Sequence, residues 1–489
     1  VSTTPSPAAP ERVLSTLNLD GTRRWIRPRL SAGRWWRRRR GVGYGLIALF
    51  VALPYLRVGG RPSVLLDLPR REFTLFGITF LATDGVLFML LFVGSILALF
   101  TFTALFGRIW CGWACPQTVY MELVFRPLER WLEGGRIGSL VMDERRRLHP
   151  RRLLKLGLYG VLSLALAHVF LAYFVGVDQL AVWVRRSPVE HPTSFAVMAI
   201  TALAVFLDFA WFREQTCIVA CPYGRLQSAL LDRRSLIVGY DPRRGEPRMK
   251  GKKHRPAHAG DCIDCQLCVI TCPTGIDIRD GLQMECIHCT QCIDACDFVM
   301  GKIGKPRGLI RYASRDELDG RAARLLRPRV VLYPLALALV LGLLAFSLGT
   351  RQDAEVTLLR AGGTPYTSAE DGVVTNLVRV KVANRGSARR DFRIELADAP
   401  DLRLVAPLNP LPVDAGRTRE AVVLVQAPRG GVPGGTRDVG VRVSDGGRFD
   451  QTLPYRLMGP EHDEADEPDE DDGHHGARRD ADRGKEDER

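Results

Sequence analysis

Cys262-Ile-Asp-Cys265-Gln-Leu-Cys268-Val-Ile-Thr-Cys272-Pro273, followed by Cys286-Ile-His-Cys289-Thr-Gln-Cys292-Ile-Asp-Ala-Cys296, decides how the rest of the chain is read. A C-x2-C-x2-C loop wraps three corners of an iron–sulfur cubane, and the fourth thiolate must come from elsewhere. In a paired run of this kind the last cysteine of each half ligates the other cluster. The spacing assigns Cys262, Cys265, Cys268 and Cys296 to one [4Fe-4S] cluster, and Cys286, Cys289, Cys292 and Cys272 to a second. C-x2-C pairs also serve tetrahedral zinc, but two such runs in succession favour clusters. The expected chemistry is one-electron transfer.

Outward from that run, the 489-residue chain alternates apolar stretches with arginine-rich connections and reads as an integral membrane protein. A helix needs about 20 residues to cross a bilayer core. Five stretches approach that length: 41–56, 86–106, 153–175, 195–212 and 330–348. The first is short and holds Pro54, so a re-entrant or interfacial segment is its alternative. The run Arg37 to Arg40 in front of it suggests a signal peptide, yet the long polar segment before it and the lack of a small-residue cleavage site argue against removal. A net charge of +14 suggests nucleic acid, but arginine crowds 23–40, 126–152 and 213–253 and thins out in 57–84 and 178–191, so its distribution follows the membrane. The positive-inside rule then puts the N-terminus and the cysteine run in the cytoplasm and, with five crossings, the C-terminus outside. A reducing cytoplasm keeps the thiols unpaired, and no cysteine follows Cys296.

The remaining cysteines form two matching pairs, Cys111-Gly-Trp-Ala-Cys115-Pro116 and Cys217-Ile-Val-Ala-Cys221-Pro222, each just past the cytoplasmic end of a crossing. On a continuing helix, positions i and i+4 turn through about 400° and rise about 6 Å, so each pair becomes a two-thiolate clamp. The next proline disturbs the preceding turn and frees the carbonyl of Gly112 or Ile218. Soft thiolates select Cu(I), zinc or iron–sulfur clusters. Three uses stay open: binding and reducing copper, holding a third cluster, or cycling between dithiol and disulfide. Buried cysteines serving only as small apolar residues are the plain alternative. His168 and Asp208 lie inside apolar stretches, where an ionisable group is a functional candidate, although no second histidine lies in any crossing. Arg243, Arg244, Lys250, Lys252 and Lys253 form a basic stretch suited to anionic lipid head groups or to an acidic electron donor. No glycine-rich dinucleotide fingerprint follows a strand, so the chain is not expected to take hydride from a nicotinamide itself.

From Glu355 valine and leucine alternate with polar residues, the period of half-buried strands. The candidates are 356–360, 377–382, 392–396, 402–405, 421–425, 439–443 and 449–455. Such a series suggests an immunoglobulin-like sandwich, here without the cysteine and tryptophan hallmarks of antibody domains. Residues 461–489 form a mixed-charge tail expected to be disordered, in which His462, His474 and His475 offer weak metal binding at most. The expected organisation is a basic cytoplasmic segment (1–40), four transmembrane helices with the first C-x3-C-P pair (41–213), and a cytoplasmic part with the second pair and a two-cluster ferredoxin-like domain (214–328). A fifth transmembrane helix (329–349), an all-β sandwich (350–460) and the tail (461–489) complete it.

With those residues in place, the chain resembles the cytochrome c oxidase accessory proteins of the CcoG family, also called FixG or RdxA. The resemblance runs through Trp110-Cys-Gly-Trp-Ala-Cys-Pro-Gln117, Glu214-Gln-Thr-Cys-Ile-Val-Ala-Cys-Pro-Tyr-Gly-Arg225 with Gln227 and Asp232, Tyr240-Asp-Pro-Arg-Arg-Gly-Glu-Pro-Arg248, and the cysteine run through to Gly308-Leu-Ile-Arg-Tyr312. Leu359, Arg360, Asp371, Gly372, Asn376 and Asn384 look like the family's immunoglobulin-like domain. The resemblance implies a bacterial inner-membrane protein with two [4Fe-4S] clusters and a periplasmic C-terminus, reducing Cu(II) to Cu(I) for assembly of cbb-type cytochrome c oxidase. It maps the family's copper site onto Cys111, Cys115, Cys217 and Cys221 as catalytic and metal-binding residues. One departure is Asp297 after Cys296, where many ferredoxins have proline. Implied partners are membrane lipid, a cytoplasmic electron donor, and copper chaperones or oxidase assembly factors and subunits; a homo-oligomer is left open and nucleic acid is not expected. Two other readings fit the same motifs. Quinol dehydrogenases of the NapH kind resemble this layout, and an assembly scaffold with structural clusters would carry the same cysteines.

Overall fold

The arginine run before the first apolar stretch is itself helical. In the computed structural model, which describes residues 14–460 except 19, 70, 82–83, 146–148, 252–255, 257, 323–326, 370–371 and 387, helix α1 spans Arg34–Ala52. It ends in a 3-10 turn, Leu53–Tyr55, where Pro54 withholds a helix N–H. Lys252, Lys253, Asp371, His462, His474, His475 and the 461–489 tail lie outside the described residues. The chain divides into two units, Val1–Thr350 and Arg351–Arg489.

Among the described residues, four helices of the first unit are long and apolar enough to cross a membrane: α2 (Gly85–Phe106), α3 (Pro150–Val175), α4 (Pro192–Phe212) and α5 (Pro328–Gly349). Three of them open on proline, whose missing N–H costs nothing in the first turn. Each covers one of the apolar stretches 86–106, 153–175, 195–212 and 330–348. The fifth candidate, 41–56, differs: it is the C-terminal part of α1, whose first two turns carry Arg34 and Arg37 to Arg40. Aromatic packing joins the helices. Phe125, from the connection after α2, stacks on Phe209 of α4 at 4.1 Å and meets Tyr159 of α3 edge-on at 4.8 Å.

The cysteine run folds between α4 and α5 as a small module. An antiparallel strand pair, Ile237–Tyr240 with Ile310–Ala313, brackets it. Val238, Ile276, Ile278, Ile293, Val299, Met300, Leu309 and Ile310 make its core. The N-terminal segment is sewn to this module: Ser15 Oγ donates to the Thr274 carbonyl (2.8 Å), Arg29 N–H to the Ile270 carbonyl (3.1 Å), and Ser31 N–H to Gln291 Oε1 (3.0 Å). α1 then begins on the module. The N–H groups of Trp35 and Trp36 donate to the Asp294 carboxylate at 3.1 and 2.7 Å. These two helix-end donors have no partner within α1, and the carboxylate supplies one across the chain. A Cβ on Gly33 would collide with Asp294, so the approach needs glycine.

The second unit is a β-sandwich. One sheet has the order Arg403–Val405, Thr418–Ala427, Val374–Asn384, Ala354–Arg360, and the other Leu411–Val413, Arg390–Ala397, Thr436–Ser444, Asp450–Met458. Alternate valines, leucines and isoleucines of both sheets, among them Val380, Ile394, Val425 and Val441, fill the space between them. All seven expected strands are present, five of them longer at an end or both; 402–405 is cut to Arg403–Val405 and 449–455 is shifted to Asp450–Met458. Leu411–Val413 was not expected, because it is short and contains Pro412. Asn384, fully buried, anchors it: its Nδ2 donates to the carbonyls of Val413 (2.9 Å) and Ala388 (2.8 Å), while Oδ1 accepts from Gly386 N–H (3.0 Å). Asn384→Leu strands these buried groups. It is expected to lower the stability of the 351–460 unit by roughly 1–3 kcal/mol in urea denaturation.

Candidate metal centres

Two cavities open within the module. Cys262, Cys265, Cys268 and Cys296 border one, the outer cavity; Cys272, Cys286, Cys289 and Cys292 border the other, the inner cavity, which Cys268 also touches. The two cysteine loops repeat one backbone path. Asp264 and Gln266 in the first, and His288 and Thr290 in the second, have φ between 48° and 65°. Left-handed conformations at such residues are strained and are characteristic of ligand clamps. Burial pushes the thiols of Cys268, Cys286 and Cys289 up to about 12, so they stay protonated at neutral pH until a bound cation displaces the protons. All twelve cysteines are free thiols. Among the described residues no three histidine, cysteine or acidic side chains are close enough to hold one metal ion. In the module this accords with cubane ligands, each of which binds its own iron. Four thiols facing a largely apolar cavity fit an iron–sulfur cluster in both places.

The two C-x3-C-P motifs also share one backbone path. α2 stops at Gly107 (φ 60°, ψ −130°) and α4 at Arg213 (φ 56°, ψ −120°), each four residues before the first cysteine. A single helical turn follows, holding Cys111 in Ile109–Trp113 and Cys217 in Thr216–Ala220. The second cysteine has left the helix. Cys115 (φ −60°, ψ 126°) and Cys221 (φ −76°, ψ 110°) are extended, and their N–H groups reach back to the carbonyls of Trp110 and Thr216, both at 2.8 Å. Pro116 and Pro222 then open new helices. The expected i, i+4 clamp on one continuing helix is corrected: proline favours an extended residue before it, and the pair straddles a helix break. The freed carbonyl of Gly112 accepts from Arg39 Nε (2.5 Å).

The four thiols lie near enough to act on one another electrostatically. Burial, then Cys115, Cys111 and Cys221 in that order, push the Cys217 thiol up to about 12; burial and Cys115 do the same to Cys111 against the opposing pull of Arg108. Cys111 Sγ donates to Gln227 Oε1 (3.1 Å). Two amides cross-brace the motifs: Gln227 Nε2 donates to the Gly107 carbonyl (3.2 Å), and Gln117 Nε2 to the Arg213 carbonyl (3.1 Å).

This set is seated on the inner cavity. A Cβ on Gly112 would lie 2.5 Å from the Ile287 carbonyl oxygen and 2.9 Å from the His288 carbonyl carbon, so the backbones touch. Arg108 donates to the carbonyls of Cys286 (3.1 Å), Met284 and Gly224, joining the first motif, the inner cysteine loop and the helix after the second motif. Trp113 Nε1 donates to Tyr312 Oη (3.2 Å), and Tyr312 Oη to the His288 carbonyl (3.2 Å). Trp35 packs edge-on against both rings. Behind the seat lies a buried charge network. Arg213 grips Glu129 with two bonds of 2.9 Å, and Arg126 holds Glu122, Glu214 (3.1 Å) and the Pro273 carbonyl (3.2 Å). Burial pushes the Glu122 carboxyl up, but Arg126, Arg39 and Arg130 outweigh it and hold the group below its usual range.

The other candidates have more local roles. Asp208 accepts from Thr216 Oγ1, and its carbonyl from Arg213 N–H (2.5 Å), bracing the break before Cys217. His168 Nδ1 meets the Leu164 carbonyl (2.8 Å), and the ring borders a cavity with Trp183, Met198 and His191, the last supplied by a connection rather than a crossing. Arg244 is tied to Asp261 (2.7 Å) and to the Arg307 carbonyl (3.1 Å), within the module. Asp297 accepts from Gly308 N–H (2.9 Å). Sequence reasoning missed Arg39, Arg108, Asp294 and His288. The run containing Arg39 reads as a topology signal, and a histidine between two ligand cysteines carries no pattern of its own.

Residues 212–315 match the family model for a 4Fe-4S dicluster domain, residues 86–134 that for a 4Fe-4S binding domain, and residues 344–460 that for the Ig-like fold at the C-terminus of FixG. The chain is 36% identical over 433 residues to the protein RdxA of Cereibacter sphaeroides, an alignment covering 82% of this chain and 89% of that one. It is 32% identical over 427 residues to the nitrogen fixation protein FixG of Rhizobium meliloti, covering 77% and 80%. This chain belongs to the FixG/RdxA family. A FixG-related protein of solved structure from Vibrio parahaemolyticus matches with 14% identity and a TM-score of 0.20, over 22% of this chain and 97% of that one. As a FixG/RdxA member with these 4Fe-4S domains, the chain is an iron–sulfur electron-transfer protein. The seat can be tested in this FixG/RdxA protein by Gly112→Ala, which forces the two backbones apart and is expected to lower stability by roughly 1–3 kcal/mol. Gly45→Ala in α1, with nothing within 4 Å of its Cβ, should not. Thermal unfolding in detergent at matched iron content compares them.

Proposed function

We propose that this FixG/RdxA protein reduces Cu(II) to Cu(I) at Cys111, Cys115, Cys217 and Cys221, on the cytoplasmic face of a bacterial inner membrane, during assembly of cbb-type cytochrome c oxidase. One observation carries the reading: the Cys111–Cys115 turn rests directly on the Ile287–His288 backbone, with Arg108 shared between the thiol set and the inner cysteine loop. When bound, two [4Fe-4S] clusters would supply one-electron storage, the outer held by Cys262, Cys265, Cys268 and Cys296 and the inner by Cys272, Cys286, Cys289 and Cys292. The chain's own groups prepare the substrate site. Thiols bind Cu(I) more firmly than Cu(II), so a copper ion held there gains one electron readily and loses it reluctantly. Because no three of the thiols stand close enough for one ion, copper is held by two of them or draws the others in. Protons displaced from the buried thiols leave as the ion binds. Oxidase assembly rests on the family resemblance, as do the partners: an upstream one-electron donor, copper chaperones and oxidase subunits.

The orientation follows from charge. Arginine-rich connections gather at the end where the N-terminal segment packs on the module, so that end is cytoplasmic. The stretch 41–56, the apolar end of α1 with the turn after it, is the fifth crossing in this reading, leaving the sandwich, an immunoglobulin-like domain, in the periplasm.

The match of residues 86–134 to a 4Fe-4S binding domain favours a second reading, in which the four thiols hold a third cluster. Both readings meet in one experiment on anaerobically purified full-length protein, with a Cu(I) chelator reporting reduction. Changing Cys111 and Cys217 to serine is expected to slow copper reduction more than about a hundredfold, beyond the roughly 10–100-fold scale at which outer-shell groups act. Unchanged reduction would refute the copper site. About eight irons per chain support two clusters and about twelve support three.

A further inference from the structure

The two cavities differ in what faces them. Around the inner one, three buried donors are left without partners. His288, fully buried and bordering that cavity, has neither ring nitrogen hydrogen-bonded. Arg39 and Arg108 are 2% and 3% exposed; besides the carbonyls they hold, Arg39 Nη1 and Arg108 Nε are buried with no acceptor. Among the described residues neither arginine pairs with a carboxylate; Glu122, near Arg39, is taken by Arg126, and Glu285 stands near Arg108 without an ion pair. Arg39 acts electrostatically on Cys289, and Arg108 on Cys286. The outer cavity is different. Its arginine, Arg279, is neutralised by Asp277 (2.6 Å) and Asp264 (2.5 Å), and Cys265 is its solvent-exposed edge, the only exposed cysteine of the chain.

From this asymmetry we infer that the inner cavity holds the more easily reduced of the two clusters, and that His288, Arg39 and Arg108 make it so. The inference rests on the proposed cluster occupancy. An added electron brings a negative charge into a buried site. Uncompensated guanidinium charge and unpartnered buried N–H donors stabilise that charge strongly in a low-dielectric interior, whereas at the outer cavity the ion pairs cancel Arg279 and leave the added charge to water alone. Electrons then arrive at the exposed Cys265 edge and run downhill to the cavity on which the Cys111 turn is seated.

EPR-monitored redox titration of the full-length protein, anaerobic and in detergent, tests this. Wild type should show two midpoints, with Cys265→Ser altering the spectrum of the lower one. Arg39→Gln, Arg108→Gln and His288→Leu should each move the higher midpoint to more negative potential and leave the lower in place. Arg108→Lys, which keeps the charge, and His288→Asn, which keeps an N–H donor and tolerates a left-handed backbone, should stay near wild type. A single wild-type midpoint, or Gln and Leu variants of full iron content that shift neither midpoint or both equally, overturns the inference. If a Gln or Leu variant loses iron, wild type and the Cys265→Ser assignment still decide it: a higher midpoint that belongs to the Cys265 cluster overturns it. Split midpoints without copper reduction would remove the proposed function and leave this inference standing, and copper reduction with unsplit midpoints would do the reverse.

Discussion

The contact between the Gly112 peptide and the Ile287–His288 peptide is the constraint on which the rest of the first unit depends. The Ile287 carbonyl occupies the space that a Cβ at position 112 would fill, and the motif places glycine there. Because the two peptides touch, the Cys111–Cys115 turn and the inner cysteine loop are in direct contact rather than neighbours across a gap. α1 is built around the same contact. Asp294 fixes its first turn, Trp35 covers the Trp113–Tyr312 pair, and Arg39 takes the Gly112 carbonyl that the helix break releases.

The repeat of the C-x3-C-P path shows how two sequences reach one shape by different means. At Gly107 the positive φ is free of cost because glycine has no Cβ. At Arg213 the same conformation costs on the order of 1–3 kcal/mol. Arg213 also makes a two-bond pair with Glu129, buried on both sides, and breaking such a pair costs about 3–5 kcal/mol. The pair exceeds the strain, so arginine stands where glycine would be the easier choice. Glycine there would relax the backbone but take the two-bond partner from the Glu129 carboxylate, leaving it to Arg27 and Lys155.

Much of this was legible in the residue order, and the limits have physical causes. Ligand spacing is local, so the two cysteine loops and both C-x3-C-P motifs could be found without coordinates. Apolar length gave the four helices able to cross a membrane, and period-two alternation gave the strands of the sandwich, apart from the two-residue Thr367–Ser368 and the one interrupted by Pro412. The start of α1 was missed because its stability is not local: seven residues of polar and aromatic chain become helical by docking on Asp294, far away in sequence. The clamp geometry was misread for a related reason. A proline's effect on the residue before it decides whether two cysteines share a helix face, and period counting does not contain that effect. Arg108 and His288 were invisible because their significance lies in a guanidinium held by carbonyls alone and a ring without a hydrogen bond, which only a folded interior can reveal.

Burying an arginine without a carboxylate is costly in a low-dielectric interior, and this chain does it twice within reach of the same cavity. Elsewhere in the unit buried arginines are matched with care: Arg27, Arg126 and Arg213 all find glutamate or aspartate. The contrast argues that Arg39 and Arg108 are not casualties of packing. Carbonyl groups hold their orientation but cannot neutralise them. A site that leaves two positive charges uncompensated is prepared for negative charge that appears only on loading: the thiols are held protonated by burial, and become thiolates when an iron–sulfur body binds.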